Sequence, residues 1–93
     1  MSKFRKLYYI YEKTLQGDET VNENSLYFTT SKDSAFENLE RVIDQYNNTG
    51  GTFFCERMSN DTAIAYQVNG ENYITMDTFR TIITIKETKF EDY

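Results

Sequence analysis

Only one segment of this 93-residue chain has the period of an α-helix, and this restricts the fold more than any other feature. Its apolar stripe consists of Phe36, Leu39, Val42, Ile43 and Tyr46. Thr30 or Ser31 can cap the start of this helix, and Asp33 lies in its first turn, where the helix dipole favours an acid. Residues 47–51, Asn-Asn-Thr-Gly-Gly, tolerate positive φ and predict its end.

The other patterned segments are rich in β-branched and aromatic residues and therefore predict strands. They cover residues 6–12, 26–29, 52–58, 62–68, 71–76 and 79–86. Both faces of the first segment are apolar, which is typical of an interior strand. Asn69-Gly70 predicts a tight hairpin between two of the later strands.

These elements predict one α+β domain over residues 1–93. We expect a single antiparallel sheet of about four to six strands with one amphipathic helix packed on one face, in the order β-(β)-α-β-β-β-β. Residues 16–24 are polar, contain Gly17 and have no period, so they predict a flexible loop.

The charge of the chain argues against some classes of partner. Fifteen acids against ten bases give a net charge of −5, which predicts no direct binding to nucleic acid and none to an anionic membrane. No apolar run is long enough to span a bilayer, and no secretory signal is recognised. With one cysteine the chain forms no internal disulfide, so we expect a cytoplasmic protein.

Residues that carry covalent chemistry are scarce. The chain has no histidine, which removes the commonest general base and metal ligand. Cys55 lies in a predicted strand and is interpreted as a small buried hydrophobe. Gly50 and Gly51 follow a helix instead of preceding one, so they do not form a phosphate-binding loop. The sequence thus predicts a protein that is not an enzyme and that binds no cofactor or metal.

One pattern is typical of an enzyme and is kept as a third hypothesis. Asp77, followed by Glu87, Thr88 and Lys89, resembles the acid and Glu-x-Lys arrangement of metal-dependent nucleases of the restriction-endonuclease type. That resemblance implies that the two carboxylates hold Mg²⁺ and that Lys89 orients the attacking water. It covers three residues, lacks the usual proline and lies in an acidic chain.

The acids of the helix are the best ordered candidates for binding. Asp33, Glu37, Glu40 and Asp44 fall within a sector of roughly 60° over about 16 Å, with successive carboxylates about 5 to 6 Å apart along the axis. This spacing is of the order of the phosphate spacing in a nucleic-acid strand. Only Arg41 is close enough to neutralise Glu37 or Asp44. The alternative is an ordinary solvated helix face.

Further acids lie in the predicted loop beside the first strand. Asp18, Glu19 and Glu23 are added to the four helix acids as candidate partner-binding residues. The expected partner is a protein, in particular an enzyme that binds nucleic acid.

The aromatic residues of the β segments support a second hypothesis. One helix covers one face of a sheet, so tyrosines on the other face can form a flat patch for a homodimer, which would make the chain a self-associating accessory protein. Core filling is the ordinary alternative. A base-stacking platform for RNA would use such a face too, but the chain has neither the RNA-recognition signature peptide nor the basic surround.

The small size, the surplus of acid, the lack of catalytic residues and the α+β composition together resemble a general type of phage or mobile-element protein that blocks host defence. Anti-CRISPR and antirestriction proteins of this type present carboxylates where a nucleic acid would lie. The resemblance implies an inhibitor that acts in the host cytoplasm as a nucleic-acid mimic, and it assigns no residue roles.

Overall fold

The computed structural model describes residues 3–49, 53–67 and 79–92. These residues form one antiparallel sheet with a single helix packed against it, which confirms the predicted α+β fold. The elements are β1 (Lys3–Gln16), β2 (Glu19–Thr29), α1 (Lys32–Asn47), β3 (Phe53–Arg57), β4 (Thr62–Gln67) and β5 (Phe79–Asp92).

The first and last strands lie side by side within the sheet, whose spatial order is β2-β1-β5-β4-β3. β1 and β5 pair along their whole length, from Lys3 opposite Asp92 to Gln16 opposite Phe79. No bulge interrupts this pairing, so successive side chains of both strands alternate strictly between the two sheet faces. The prediction of an interior strand over residues 6–12 is confirmed, because β1 lies between β2 and β5.

The hydrophobic core lies between α1 and one face of the sheet. The helix contributes Leu39, Val42 and Ile43, and the strands contribute Ile10, Cys55, Ala63, Ala65 and Ile83. The small alanines of β4 leave room for the helix to pack closely on the sheet. Cys55 is buried among these residues, as its strand position predicts.

The prediction of a loop over residues 16–24 is wrong for most of that segment. Only Gly17 and Asp18 form the turn, and β2 begins at Glu19. Gly17 has a φ of 62°, a value that a residue without Cβ adopts at little cost. β2 is polar because it is an edge strand with exposed side chains, and pairing with β1 supplies the stability that its composition does not indicate.

The end of α1 is at the predicted place, but its geometry differs from the prediction. The helix ends at Asn47, and Asn48 follows with a φ of −97° rather than a positive value. The Asn48 N–H still donates to the carbonyl of Asp44 at 3.0 Å. In the described ranges, no helix is both long and apolar enough to cross a lipid bilayer.

Several predicted features lie outside the described residues. They are the strand over 71–76, the Asn69-Gly70 hairpin, Gly50, Gly51 and Asp77. The strands predicted over 52–58 and 62–68 correspond to β3 and β4, whereas the strand predicted over 79–86 continues to Asp92.

Candidate interaction surface

The cap of α1 fixes where the helix begins, and its buried side chains fix its rotation on the sheet. The Ser31 hydroxyl accepts a hydrogen bond from the Ser34 N–H at 3.2 Å, and the Ser31 carbonyl accepts one from Ala35 at 3.1 Å. Asp33 lies in the first turn, where its carboxylate faces the positive end of the helix dipole. With Ala35 and Leu39 fully buried, the residues on the opposite side of the helix must face solvent.

The four predicted helix acids share that outward side. Asp33, Glu37, Glu40 and Asp44 are all exposed, and they are named here the acidic helix surface. Spacings of four, three and four residues keep them in one sector along about 16 Å of helix. The structure therefore brings these four predicted residues together on one side of α1.

Counter-ions for this surface are few. The guanidinium of Arg57, on β3, forms an ion pair with the carboxylate of Glu40. Across the described parts of the chain, Asp33, Glu37 and Asp44 form no ion pair, and Arg41 does not pair with either of its acidic neighbours on the helix. Three of the four carboxylates thus keep a charge that no described side chain offsets by direct contact.

A cleft of about 480 Å³ opens beside the N-terminal half of α1. It lies between the helix, the turn that joins β3 to β4, and the middle of the β1–β5 pair. Its lining residues are Tyr8, Lys32, Phe36, Ser59, Asn60, Asp61, Ile85 and Glu87. A shallower depression, shared by Phe36, Glu37, Glu40, Arg57 and Asn60, continues it along the acidic helix surface.

Asp61 is held in place at the edge of this cleft. Its carboxylate accepts hydrogen bonds from the hydroxyls of Ser59 at 2.9 Å and Thr62 at 3.1 Å. These two bonds lower the pKa of the Asp61 carboxyl, chiefly through Ser59, so that it is ionised at neutral pH. Asp61 therefore adds a fixed negative charge near the acidic helix surface.

The predicted acids of the β1–β2 segment lie elsewhere. Asp18 is in the turn and Glu19 begins β2, so both are at the tip of this hairpin. Glu23 pairs in register with Lys13 and accepts a hydrogen bond at 2.6 Å from the hydroxyl of Tyr11. Since Tyr11 and Lys13 point away from the helix, Glu23 is on the opposite side of the sheet from the acidic helix surface.

A polar cluster lies beneath the C-terminal half of α1. The hydroxyl of Tyr46 donates to the carboxylate of Glu12 at 3.4 Å, and both side chains are partly buried. Burial raises the pKa of the Glu12 carboxyl, an effect that the Tyr46 hydrogen bond partly offsets. Burial, followed by the charge of Glu12, raises the pKa of Tyr46 to about 12, which keeps the phenol neutral.

The thiol beside this cluster is not activated. Burial, followed by the charge of Glu12, raises the pKa of the Cys55 thiol to about 11. A nucleophilic cysteine requires a lowered pKa, so Cys55 is protonated at neutral pH and packs as a core side chain.

The residues of the nuclease hypothesis are described only in part. Glu87 forms an ion pair with Lys6 at 3.4 Å, and Glu87 and Lys89 project from the same face of β5. Asp77 lies outside the described residues. Within the described ranges, no group of three or more His, Cys, Asp and Glu side chains is arranged to hold a metal ion.

Sequence reasoning did not identify Arg57 or Asp61 as part of this surface. Arg57 precedes the Ser59-Asn60-Asp61 turn and Asp61 is its last residue, but the position of this turn beside α1 depends on the order of the strands. A contact between residues 17 positions apart, such as that of Glu40 with Arg57, leaves no local signal in the sequence.

Comparison of the chain with protein-family models, with curated proteins and with solved structures finds no match.

Proposed function

We propose that this chain is a non-enzymatic binding protein whose acidic helix surface occupies a basic groove on a protein that handles nucleic acid. The observation that carries the proposal is the set of four exposed carboxylates on one side of α1, three of them without an ion pair among the described residues. A row of negative charges on a rigid helix complements a groove whose cations are arranged for phosphates.

Two features support a role in protein binding for this surface. Asp61 and the cleft beside Phe36 extend it sideways, which gives a partner a concave feature next to a charged one. The helix is capped and packed on the sheet, so the backbone positions of the four acids are fixed before binding and no backbone ordering is needed there on association. Like charges repel, so the acidic helix surface itself does not bind nucleic acid.

The specific form of the proposal is a phage or mobile-element inhibitor of the anti-CRISPR or antirestriction type. Such a protein acts in the host cytoplasm and binds an enzyme in place of its nucleic acid. The buried, protonated Cys55 is compatible with that reducing compartment.

The proposal is tested by capture of partners from host lysate with the immobilised chain. We compare the wild-type chain with Glu37→Lys/Asp44→Lys, because neither residue has an ion pair in the described structure and their reversal leaves the core untouched. We expect nucleic-acid-binding proteins to be retained by the wild type, to elute when the salt is raised, and to be lost with the double variant.

A second arm examines the predicted acids at the hairpin tip. Asp18→Lys/Glu19→Lys carries the same change of charge at the end of the β1–β2 hairpin, and loss of capture there would extend the surface to these residues. Retention of the same proteins by Glu37→Lys/Asp44→Lys, with no dependence on salt, would refute the proposal.

A further inference from the structure

The sheet has a second face, which α1 does not cover. The helix packs on the side that carries Ile10 and Ile83, and the strict alternation along β1 and β5 places their neighbours on the other side. Among residues 3–49, 53–67 and 79–92, no helix or further layer packs on that side. This surface is named here the open sheet face.

The charge of the open sheet face is opposite to that of the chain. The strand registers place Arg5 and Lys13 of β1 and Arg80 and Lys86 of β5 on it. Among residues 4–49, 53–67 and 79–90, the carboxylates that the strand registers place there are those of Glu23 of β2 and Glu56 of β3. Among those residues, four cations and two acids thus lie on this side of a chain whose net charge is −5.

Aromatic rings lie among these cations. The ring of Phe28 stacks on Tyr9 with centroids 5.1 Å apart and an interplanar angle of 24°, and Phe28 is 56% exposed. The ammonium of Lys86 lies 4.0 Å from the centroid of the neighbouring Tyr11 ring. The Tyr11 hydroxyl is fixed by its bond to Glu23. The face therefore presents ordered rings next to positive charge.

These two properties select among the possible occupants. Two copies that met face to face would oppose cations with cations. The acidic helix surface of a second copy would supply carboxylates but no planar rings. A single-stranded nucleic acid supplies phosphates for the cations and unpaired bases for stacking on the aromatic rings. A duplex would supply only its phosphates, because its bases are stacked on each other.

We propose that the open sheet face binds single-stranded nucleic acid, with bases stacked beside Phe28 and Tyr9 and phosphates near Lys86 and Lys13. The net charge of −5 predicts no direct binding of nucleic acid by the chain as a whole, and this proposal departs from that prediction because the cations of the open sheet face lie on the side opposite the acidic helix surface. This inference goes beyond the proposed function and does not depend on it, because a different face and a different class of ligand are involved.

The test uses fluorescence anisotropy of labelled 12-nucleotide oligouridylate and oligothymidylate, with a duplex of the same length for comparison. We expect saturable binding of the single strands at low salt, weaker binding of the duplex, and affinity that falls as salt is raised. Similar affinity for both oligonucleotides would indicate stacking and phosphate contacts, and preference for oligouridylate would add contacts to the 2′-hydroxyl groups.

Matched variants distinguish binding at the open sheet face from a general effect of the charge of the protein. Lys86→Glu lies on the open sheet face, whereas Lys89→Glu makes the same change on the other face of the same strand; both positions are exposed. We expect at least about a tenfold loss of affinity for Lys86→Glu and a much smaller loss for Lys89→Glu. Thermal denaturation monitored by circular dichroism verifies that both variants are folded.

A second matched pair tests the aromatic contribution. Phe28→Ala removes an exposed ring from the open sheet face, and Phe4→Ala removes a ring that is 69% exposed from the other side of the sheet. We expect about a fivefold or greater loss of affinity for Phe28→Ala alone. If the two variants of each matched pair lost affinity for the single strands equally, the proposed site would be refuted.

The remaining outcomes also contradict the proposal. One is the absence of saturable binding of either single strand by the folded wild type at low salt. Another is concentration-dependent self-association in sedimentation experiments that Lys86→Glu prevents while no oligonucleotide binds. That result would assign the open sheet face to a second copy of the chain.

Discussion

Folding changes the acidity of Glu12, because its side chain becomes half-buried beneath α1 and its hydrogen-bond partner there is the neutral phenol of Tyr46. The Tyr46 hydroxyl donates to it at 3.4 Å, and burial raises the pKa of the Glu12 carboxyl above its ordinary value. A folded-state pKa that is raised favours the protonated form, so folding is stabilised in acid and this contribution is lost as the pH rises through the raised pKa.

Glu12→Gln is therefore expected to stabilise the protein at neutral pH. The amide keeps an acceptor for Tyr46 and removes the buried charge. Urea unfolding of both proteins should show a higher midpoint for the variant at pH 7, and the difference should shrink as the pH falls below the ordinary glutamate pKa of about 4.3, where Glu12 becomes protonated in both the folded and unfolded states. A variant that is less stable at pH 7, or a difference that grows in acid, would contradict this account of Glu12.

At the scale of elements, one side chain joins the end of α1 to the neighbouring edge strand. The amide of Asn47 donates to the Cys55 carbonyl at 3.1 Å, and its oxygen accepts from the Cys55 N–H at 2.8 Å. The side chain thus satisfies both backbone groups of a buried residue on β3, which is paired on its other side with β4.

Asn47→Ala should remove both bonds and destabilise the protein by about 1 to 3 kcal/mol, since it leaves two partly buried backbone groups without this partner. Asn48→Ala is the matched control, because the contact of Asn48 at the helix end is made by its backbone N–H and survives the substitution. Chemical denaturation measures the free energy of unfolding of both variants. Equal losses for the two variants would contradict the role assigned to the Asn47 side chain.

Elements whose own residues carry a clear pattern could be predicted, and strand segments that only pairing with a neighbour specifies could not. The Ser31 cap and the apolar stripe of α1 determine its start and its buried side within the chain itself. β2 has no such signal, since its polar residues fit a loop equally well and only the partner strand β1 makes them a strand. For the same reason the sequence did not reveal that β5 extends to Asp92 along β1.

At the scale of the whole molecule, the main finding is that charge is separated between two surfaces. Helical spacing is enough to place Asp33, Glu37, Glu40 and Asp44 together, so the acidic helix surface could be predicted. The open sheet face could not, because Lys13 and Lys86 come from strands far apart in the chain and meet only through the β1–β5 register. The net charge of −5 averages the two surfaces and so conceals the cations of the open sheet face.

The separation of the surfaces has a consequence for function. A protein bound at the acidic helix surface, as proposed, would leave the open sheet face accessible, because the sheet and the core lie between the two surfaces. Each surface can therefore be altered by substitution without a change in the other, and the two proposals can succeed or fail independently.

The most direct test of the central claim, that the acidic helix surface binds the partner, is the dissociation constant of the captured partner for three proteins: the wild type, Glu37→Lys and Glu56→Lys. Both variants reverse one exposed glutamate, on α1 and on the open sheet face respectively. The account predicts a loss of affinity of at least about tenfold for Glu37→Lys and little change for Glu56→Lys, with the difference reduced at high salt. Equal affinities for the two variants would contradict it.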